Sequence, residues 1–438
     1  MTEIEFGGLL FGICLVLITL RMPVAIAMFV VGSFGFISLA GLQAFLGLLN
    51  TGPFGRVSGY TLSVLPLFLL MGQFAVRAGL GRSLFDSARA WVGNYRGGLA
   101  ISTIFGCAAF GSICGSSVAT AATMGSVAIP EMRRFGYSDG LITGTLAAGG
   151  TLGILIPPSL ILVIYAVITE QSIGKLFLAA LIPGIIATLG YSLTVGIYVR
   201  LKPSAAPLIQ GVPIQKKVRS LVPVIPVAAI FLLVIGGIYI GVFTPTEGAA
   251  IGAAATFLLA CVLGRLNWSS FVTSVLETAQ ATAAIFLILI GAEIYNGFLA
   301  LSGIPSELAG LFEESGLAPM SILIGILFLY LILGCVMDSL AMILLTVPVF
   351  FPLVTGLDFG FSEEAIAIWF GILTLIVVEV GLITPPLGLN VYVINSLAKD
   401  IPLASSFKGI LPFLLSDIVR IGIILALPAT CLWLPGLA

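Results

Sequence analysis

The chain has 438 residues, 59% of them hydrophobic and only 8% charged; a soluble domain carries roughly 25% charged residues, so most of this surface must face lipid. A formal net charge of −1 excludes the basic footprint that a nucleic-acid partner needs. The absence of histidine removes histidine proton relays, histidine triads and the usual histidine-containing zinc sites together.

Glu3 and Glu5 precede the first apolar run and Arg21 follows it, the reverse of a signal peptide's charge order. That order predicts a retained first helix with its N-terminus outside. Ten crossings are expected, at about 6–21, 23–41, 60–76, 140–168, 176–200, 220–240, 248–264, 280–300, 365–395 and 409–432. After the third, segment 79–98 spaces Arg82, Arg89 and Arg96 seven apart, with Leu84, Ala88, Trp91 and Tyr95 on the opposite face. It reads as an amphipathic helix on the cytoplasmic surface. The acidic segment 303–317 is its counterpart on the far side.

Two more apolar stretches, 99–130 and 320–353, are longer than one span needs. Each has a small, polar centre: Gly111-Ser112-Ile113-Cys114-Gly115-Ser116-Ser117 and Gly334-Cys335-Val336-Met337-Asp338-Ser339. Each is expected to be a re-entrant hairpin with its tip near mid-membrane. Two crossings, 140–168 and 365–395, are interrupted by a Gly-rich stretch running into a proline pair, at Pro157-Pro158 and Pro385-Pro386. Proline removes a backbone donor and clashes with the preceding turn, so both are expected to be broken helices. Freed backbone groups are tolerated in hydrocarbon only where protein or a water-filled cavity satisfies them.

Arg200, Lys202, Lys216, Lys217 and Arg219 place the 201–219 loop in the cytoplasm. Counting from it puts the arginines of 77–98 inside, and Glu307, Glu313, Glu314, Asp358, Glu363 and Glu364 outside. The count closes only if both hairpins turn back. Ser116 stands 14 residues before Pro130, as Asp338 stands 14 before Pro352. Residues 1–200 and 220–438 therefore read as an inverted-topology repeat, five crossings each, joined by the loop. The expected fold is an all-α integral membrane protein with two re-entrant hairpins and two broken helices. The six cysteines form no CxxC pair and read as small buried hydrophobes.

Paired breaks at matching places in two halves point to a transporter's binding site. Half-helix N-termini suit a carboxylate, and carbonyls with hydroxyls suit a hard cation such as sodium. The first cation set pairs Gly115, Ser116 and Ser117 with Gly149, Gly150 and Thr151; the second pairs Gly334, Asp338 and Ser339 with Gly381, Thr384 and Pro385. Asp338 is an intramembrane acid and a functional candidate on that ground, or else it caps its own half-helix. Glu379, about one turn before the second break, is a candidate for the same site; Glu293 is as consistent with packing. Ser117, Pro157, Asn390 and Arg420 are candidates for the solute. Asp417 and Arg420, at i and i+3, can also simply pair with each other.

The strings GSICGSSVATAATMG (Gly111–Gly125), GTLGILIPPS (Gly150–Ser159) and GLITPPLGLN (Gly381–Asn390) resemble the large membrane subunit of tripartite ATP-independent periplasmic (TRAP) transporters. The layout matches over essentially the whole chain, down to Leu432-Trp433-Leu434-Pro435. The resemblance implies a sodium-coupled importer of organic anions, of carboxylate or sialic-acid type, in a bacterial inner membrane. Its implied partners are a small four-helix membrane subunit and a periplasmic substrate-binding protein. It further implies a scaffold and an elevator-type transport domain holding both hairpins and both broken helices, with sodium as coupling ion and no other cofactor. A stand-alone divalent-anion/sodium symporter shares the architecture and is the nearest alternative; a channel would need a continuous pore. With no histidine and no nucleophile beside a base, an enzyme is not expected.

Overall fold

A computed structural model describes residues 2–209, 211–314 and 316–437; the side chains of Arg56, Ala309, Glu313 and Glu314 lie outside what is described. The acidic expectation at Glu313 and Glu314 therefore falls outside the described residues. Every described element is a helix or single helical turn. α1 (Glu3–Thr19) opens on a capping box in which Thr2 and Glu5 satisfy each other's backbone amides. α2 (Val24–Ala40) ends at Gly41, and α3 (Leu42–Val57) follows, where the sequence predicted no element. α4 (Val64–Arg77) leads to α5 (Leu80–Val92), the predicted amphipathic helix. α5 is shorter than 79–98: Tyr95 and Arg96 fall beyond it, and Trp91, assigned to the apolar face, is 39% exposed.

The first hairpin is α6 (Gly98–Cys114) and α7 (Ser117–Arg134); the first broken helix is α8 (Asp139–Leu155) and α9 (Leu160–Thr169), bent by 42°. α10 (Ile173–Leu201) completes the first half. α11 (Ile214–Ser220), α12 (Ile225–Phe231) and α13 (Gly237–Tyr239) continue one another as a single rod with a π-turn at Leu232–Gly236. α14 (Pro245–Val262) is followed by α15 (Trp268–Ser302), which at 35 residues starts three turns before the predicted 280–300. After α16 (Ile304–Glu314) come the second hairpin, α17 (Pro319–Gly334) and α18 (Ser339–Thr355), and the second broken helix, α19 (Glu363–Gly381) and α20 (Leu389–Leu397). α21 (Leu403–Ala426) and α22 (Ala429–Leu432) share the last predicted crossing, which breaks at Leu427. Seven helical runs are long and apolar enough to cross a bilayer, eight with the bent α8–α9 pair. All six cysteines are free, five buried and Cys261 exposed.

An ion pair cannot straddle a bilayer, so the surface pairs test the topology. Arg77–Glu277 (3.4 Å), Arg89–Glu131 (2.7 Å) and Arg133–Asp400 (2.8 Å) each join segments assigned to the cytoplasm. Lys175–Glu364 (2.5 Å) joins two segments assigned outside. Between those two residues lie four predicted crossings and the second hairpin, so the pair holds only if that hairpin turns back. The Arg133 hydrogen bonds hold the Asp400 carboxyl below its usual range. That contact is present at neutral pH and lost as pH falls through the lowered value.

Glycine sets the helix spacing. A Cβ on Gly32 would meet the Tyr295 backbone at 2.7 Å, locking α2 against α15. Gly140 and Gly144 of α8 face Gly409 of α21 backbone to backbone, a small-xxx-small contact. α19 runs through the centre and is buried on every side. Each broken helix sends its far piece to the other half. Tyr165 on α9 packs edge-on against Phe351 of α18 (6.2 Å) and donates to the Ala367 carbonyl (2.6 Å). α20 packs on α7, where a Cβ on Gly125 would meet Leu397 at 2.9 Å.

Gly409→Val is expected to push α8 and α21 apart and cost about 1–3 kcal/mol of overpacking strain. Thermal unfolding in detergent should show a clearly lower midpoint than Gly422→Val, on the same helix, whose Cβ would meet open space. Equal midpoints would rule out the backbone contact.

Candidate functional site

Gly115 sits at φ +64°, a conformation that costs glycine nothing, and so ends α6 sharply. Ser116, in extended backbone, then caps α7: its hydroxyl accepts from the Ala119 amide at 3.4 Å. This tip is pressed onto the first break. A Cβ on Gly115 would meet the Pro158 carbonyl oxygen at 2.8 Å, and one on Gly111 would meet the Gly153 backbone at 2.5 Å. A Cβ on Gly153 would meet the Ser116 carbonyl at 2.8 Å and collide with the Thr120 hydroxyl. The Thr120 hydroxyl is buried, with the Cys114 thiol as its polar neighbour. A carbonyl and a hydroxyl thus converge where only glycine fits, which is donor chemistry suited to a hard cation.

The second tip repeats the plan. Asp338 is the N-cap of α18, accepting from the Ala341 amide at 3.0 Å, the position Ser116 holds on α7. Gly334 and Gly381 meet backbone to backbone: a Cβ on Gly381 would lie 2.5 Å from the Gly334 carbonyl carbon. This contact brings the hairpin tip to the break, as Gly111–Gly153 does in the first half. The capping role weighed for Asp338 is realised, and the residue remains exposed. Thr384 donates to the Val380 carbonyl at 2.6 Å and is half-buried; Pro385 is exposed and Ser339 half-buried. Both proline pairs, Pro157-Pro158 and Pro385-Pro386, are cis.

Asn390, on α20 of the second half, reaches the first. Its amide donates to the Ser117 hydroxyl at 2.5 Å and to the Ala147 carbonyl at 3.4 Å, beside Gly150, while its own oxygen is buried and unbonded. Ser117, Gly150 and Asn390 are therefore one cluster, with Pro157 buried in the adjoining break. Gly149 points elsewhere, against the Cys107 sulfur, and Thr151 turns to the opposite face of α8. Among the described residues no group of three or more acids and cysteines is placed to hold a metal.

Thr151 belongs instead to a buried polar cluster. Its hydroxyl lies 3.2 Å from that of Tyr191, which donates to both Asp417 oxygens at 2.8 and 3.0 Å. Asp417 pairs with Arg420 at 2.9 Å, and both are essentially inaccessible, at 1% and 2% exposure. Glu379, weighed as a member of the second cation site, is fully buried within electrostatic reach of Asp417 and Arg420, and neither oxygen makes a hydrogen bond. Its side chain therefore lies with this cluster.

Two residues of these clusters escaped sequence reasoning. Thr120 follows Ser116 by four, one helical turn, and that spacing was readable. Tyr191 had no such signal, because its partner lies 226 residues away. Removing one member of a buried pair costs about 3–5 kcal/mol, whereas replacing both by apolar groups is often neutral. Asp417→Leu alone should lower the unfolding midpoint more than Asp417→Leu with Arg420→Met. A double variant less stable than either single would show that the pair does more than balance charge.

The family description "Tripartite ATP-independent periplasmic transporter, DctM component" matches residues 11–430. A "C4-dicarboxylate TRAP transporter large permease protein" of Pseudomonas aeruginosa is 37% identical over 378 residues, covering 86% of each chain. A "sialic acid TRAP transporter large permease protein" of Vibrio cholerae is 32% identical, covering 87% of this chain and 88% of its own. An "ectoine TRAP transporter large permease protein" of Halomonas elongata is 28% identical over 96% of this chain and 97% of its own. Among solved structures, the Alcanivorax borkumensis YdaH transporter superposes with a TM-score of 0.66 at 16% identity, covering 90% of each chain. At that identity the likeness shows the fold alone.

Proposed function

Because the chain belongs to the DctM component family of tripartite ATP-independent periplasmic transporters, we propose that it imports a small organic anion against its gradient by coupling to sodium. The family makes it a multi-pass large permease and not an enzyme. The observation that carries the sodium reading is the repeated tip-on-break contact: an N-capped half-helix seated by glycine on the end of a broken helix, once at Ser116 and Gly153 and once at Asp338 and Gly381. Ser116, Thr120 and the neighbouring carbonyls offer one cation site. Asp338, Gly334, Ser339, Gly381, Thr384 and Pro385 supply the other, the carboxylate offsetting the ion's charge.

The solute lies between the tips, near Ser117, Pro157 and Asn390. There the free amides at the N-termini of α7 and α18 favour its carboxylate, and the two cations complete its neutralisation. The relatives' names span dicarboxylates, sialic acid and ectoine, so the solute here is a small carboxylate-bearing molecule. A separate small membrane subunit and a periplasmic binding protein complete the machine in the inner membrane. The unit holding both hairpins and both broken helices moves as one body against the remaining helices. Gly111–Gly153, Gly334–Gly381 and Asn390–Ser117 tie those parts to one another.

The test is uptake into proteoliposomes holding this chain and its small subunit, with a panel of labelled carboxylates. Uptake should need both an inward sodium gradient and the binding protein. Full-rate uptake without the binding protein would assign a stand-alone symporter, and downhill flux without coupling would assign a channel. Asp338→Ala should raise the half-saturating sodium concentration by about tenfold or more, since losing a charge-assisted contact costs about 1.5–3 kcal/mol. Unchanged sodium dependence at equal folded yield would remove Asp338 from the cation site.

A further inference from the structure

We propose that the crevice between α5, α6 and the turn Val222–Val224 binds an anionic phospholipid of the cytoplasmic leaflet, with an acyl chain inside and the headgroup on the basic face of α11. The crevice is an open depression of about 410 Å³, walled by Leu84, Trp91, Phe105, Leu221 and Val224 with small residues between them. Its chemistry is apolar inside, as an acyl chain requires. Trp91, 39% exposed, lines it from α5, and amphipathic aromatics favour the headgroup level.

The rim selects the headgroup. α11 packs against α5 and ends one residue before Leu221, so Lys216, Lys217 and Arg219 stand beside the opening. The 201–219 loop that carries them has no acid, and among the described residues none of the three forms an ion pair. Two other cations on this side, Arg89 and Arg133, are already engaged, with Glu131 and Asp400. A basic pocket on the cytoplasmic side of a membrane protein fits an anionic headgroup. The larger groove between α10 and α21, about 800 Å³, shows the contrast. Its lining is mostly apolar, and the cation on it, Arg420, is already paired with Asp417.

The experiment titrates the purified full chain, in neutral detergent, with cardiolipin or phosphatidylcholine and follows bound lipid by native mass spectrometry. Cardiolipin should bind about tenfold or more tightly over phosphatidylcholine, and Lys216→Gln/Lys217→Gln/Arg219→Gln should remove that preference. Ala88→Trp, which fills the crevice and leaves every charge in place, should weaken cardiolipin equally. An unfolding midpoint unchanged in detergent alone establishes that the variants are folded. Equal affinity for the two lipids, or a preference surviving both variants, would overturn the assignment. Displacement of cardiolipin by millimolar inorganic phosphate would show a phosphate site without a lipid, and displacement by the small membrane subunit would reassign the crevice to a protein contact.

Discussion

A helix that stops inside a bilayer leaves amides and carbonyls that lipid cannot satisfy. Four of this protein's helical elements stop that way, and the centre of the fold is organised around the resulting groups. Ser116, Ser159 and Asp338 each satisfy an amide at the start of a half-helix. Gly111, Gly153, Gly334 and Gly381 let the ends approach so closely that protein backbone takes the place of lipid. The same groups that make the interruptions tolerable are those a cation and a carboxylate would use. On the proposed function, stability and binding draw on one set of atoms.

What was legible in the sequence follows from that constraint. Proline pairs and Gly-Ser tips have local causes, so the breaks and the hairpin turns could be located by residue number. The charge bias gave the sides, and the ion pairs agree with them. α3 stayed hidden because its polar and glycine content, with Pro53 inside, reads as a loop. The 35-residue reach of α15 was missed for a related reason: its first turns, Trp268 to Thr278, are too polar to count as a span although they are helical.

Long-range partners were not legible. Nothing near Asn390 in sequence announces Ser117, and nothing near Tyr191 announces Asp417. Thr151 shows the limit most clearly. Its place beside Gly149 and Gly150 suggested a common site, yet successive helical residues are rotated by about 100°, and its hydroxyl faces Tyr191 of α10. Adjacency along a helix is a poor guide to which side chains share a cavity.

The exchange of far pieces between the halves bears on how the chain is made. α9 leaves the first half to pack on α18, and α20 returns to pack on α7. A ribosome that has finished residues 1–200 has therefore made a half whose broken helix still lacks its partner. That helix must wait in the membrane, its apolar face covered by lipid or by an insertion factor, until the second hairpin emerges. The two halves are interdependent in assembly, and neither expressed alone contains the surfaces needed to close its own centre.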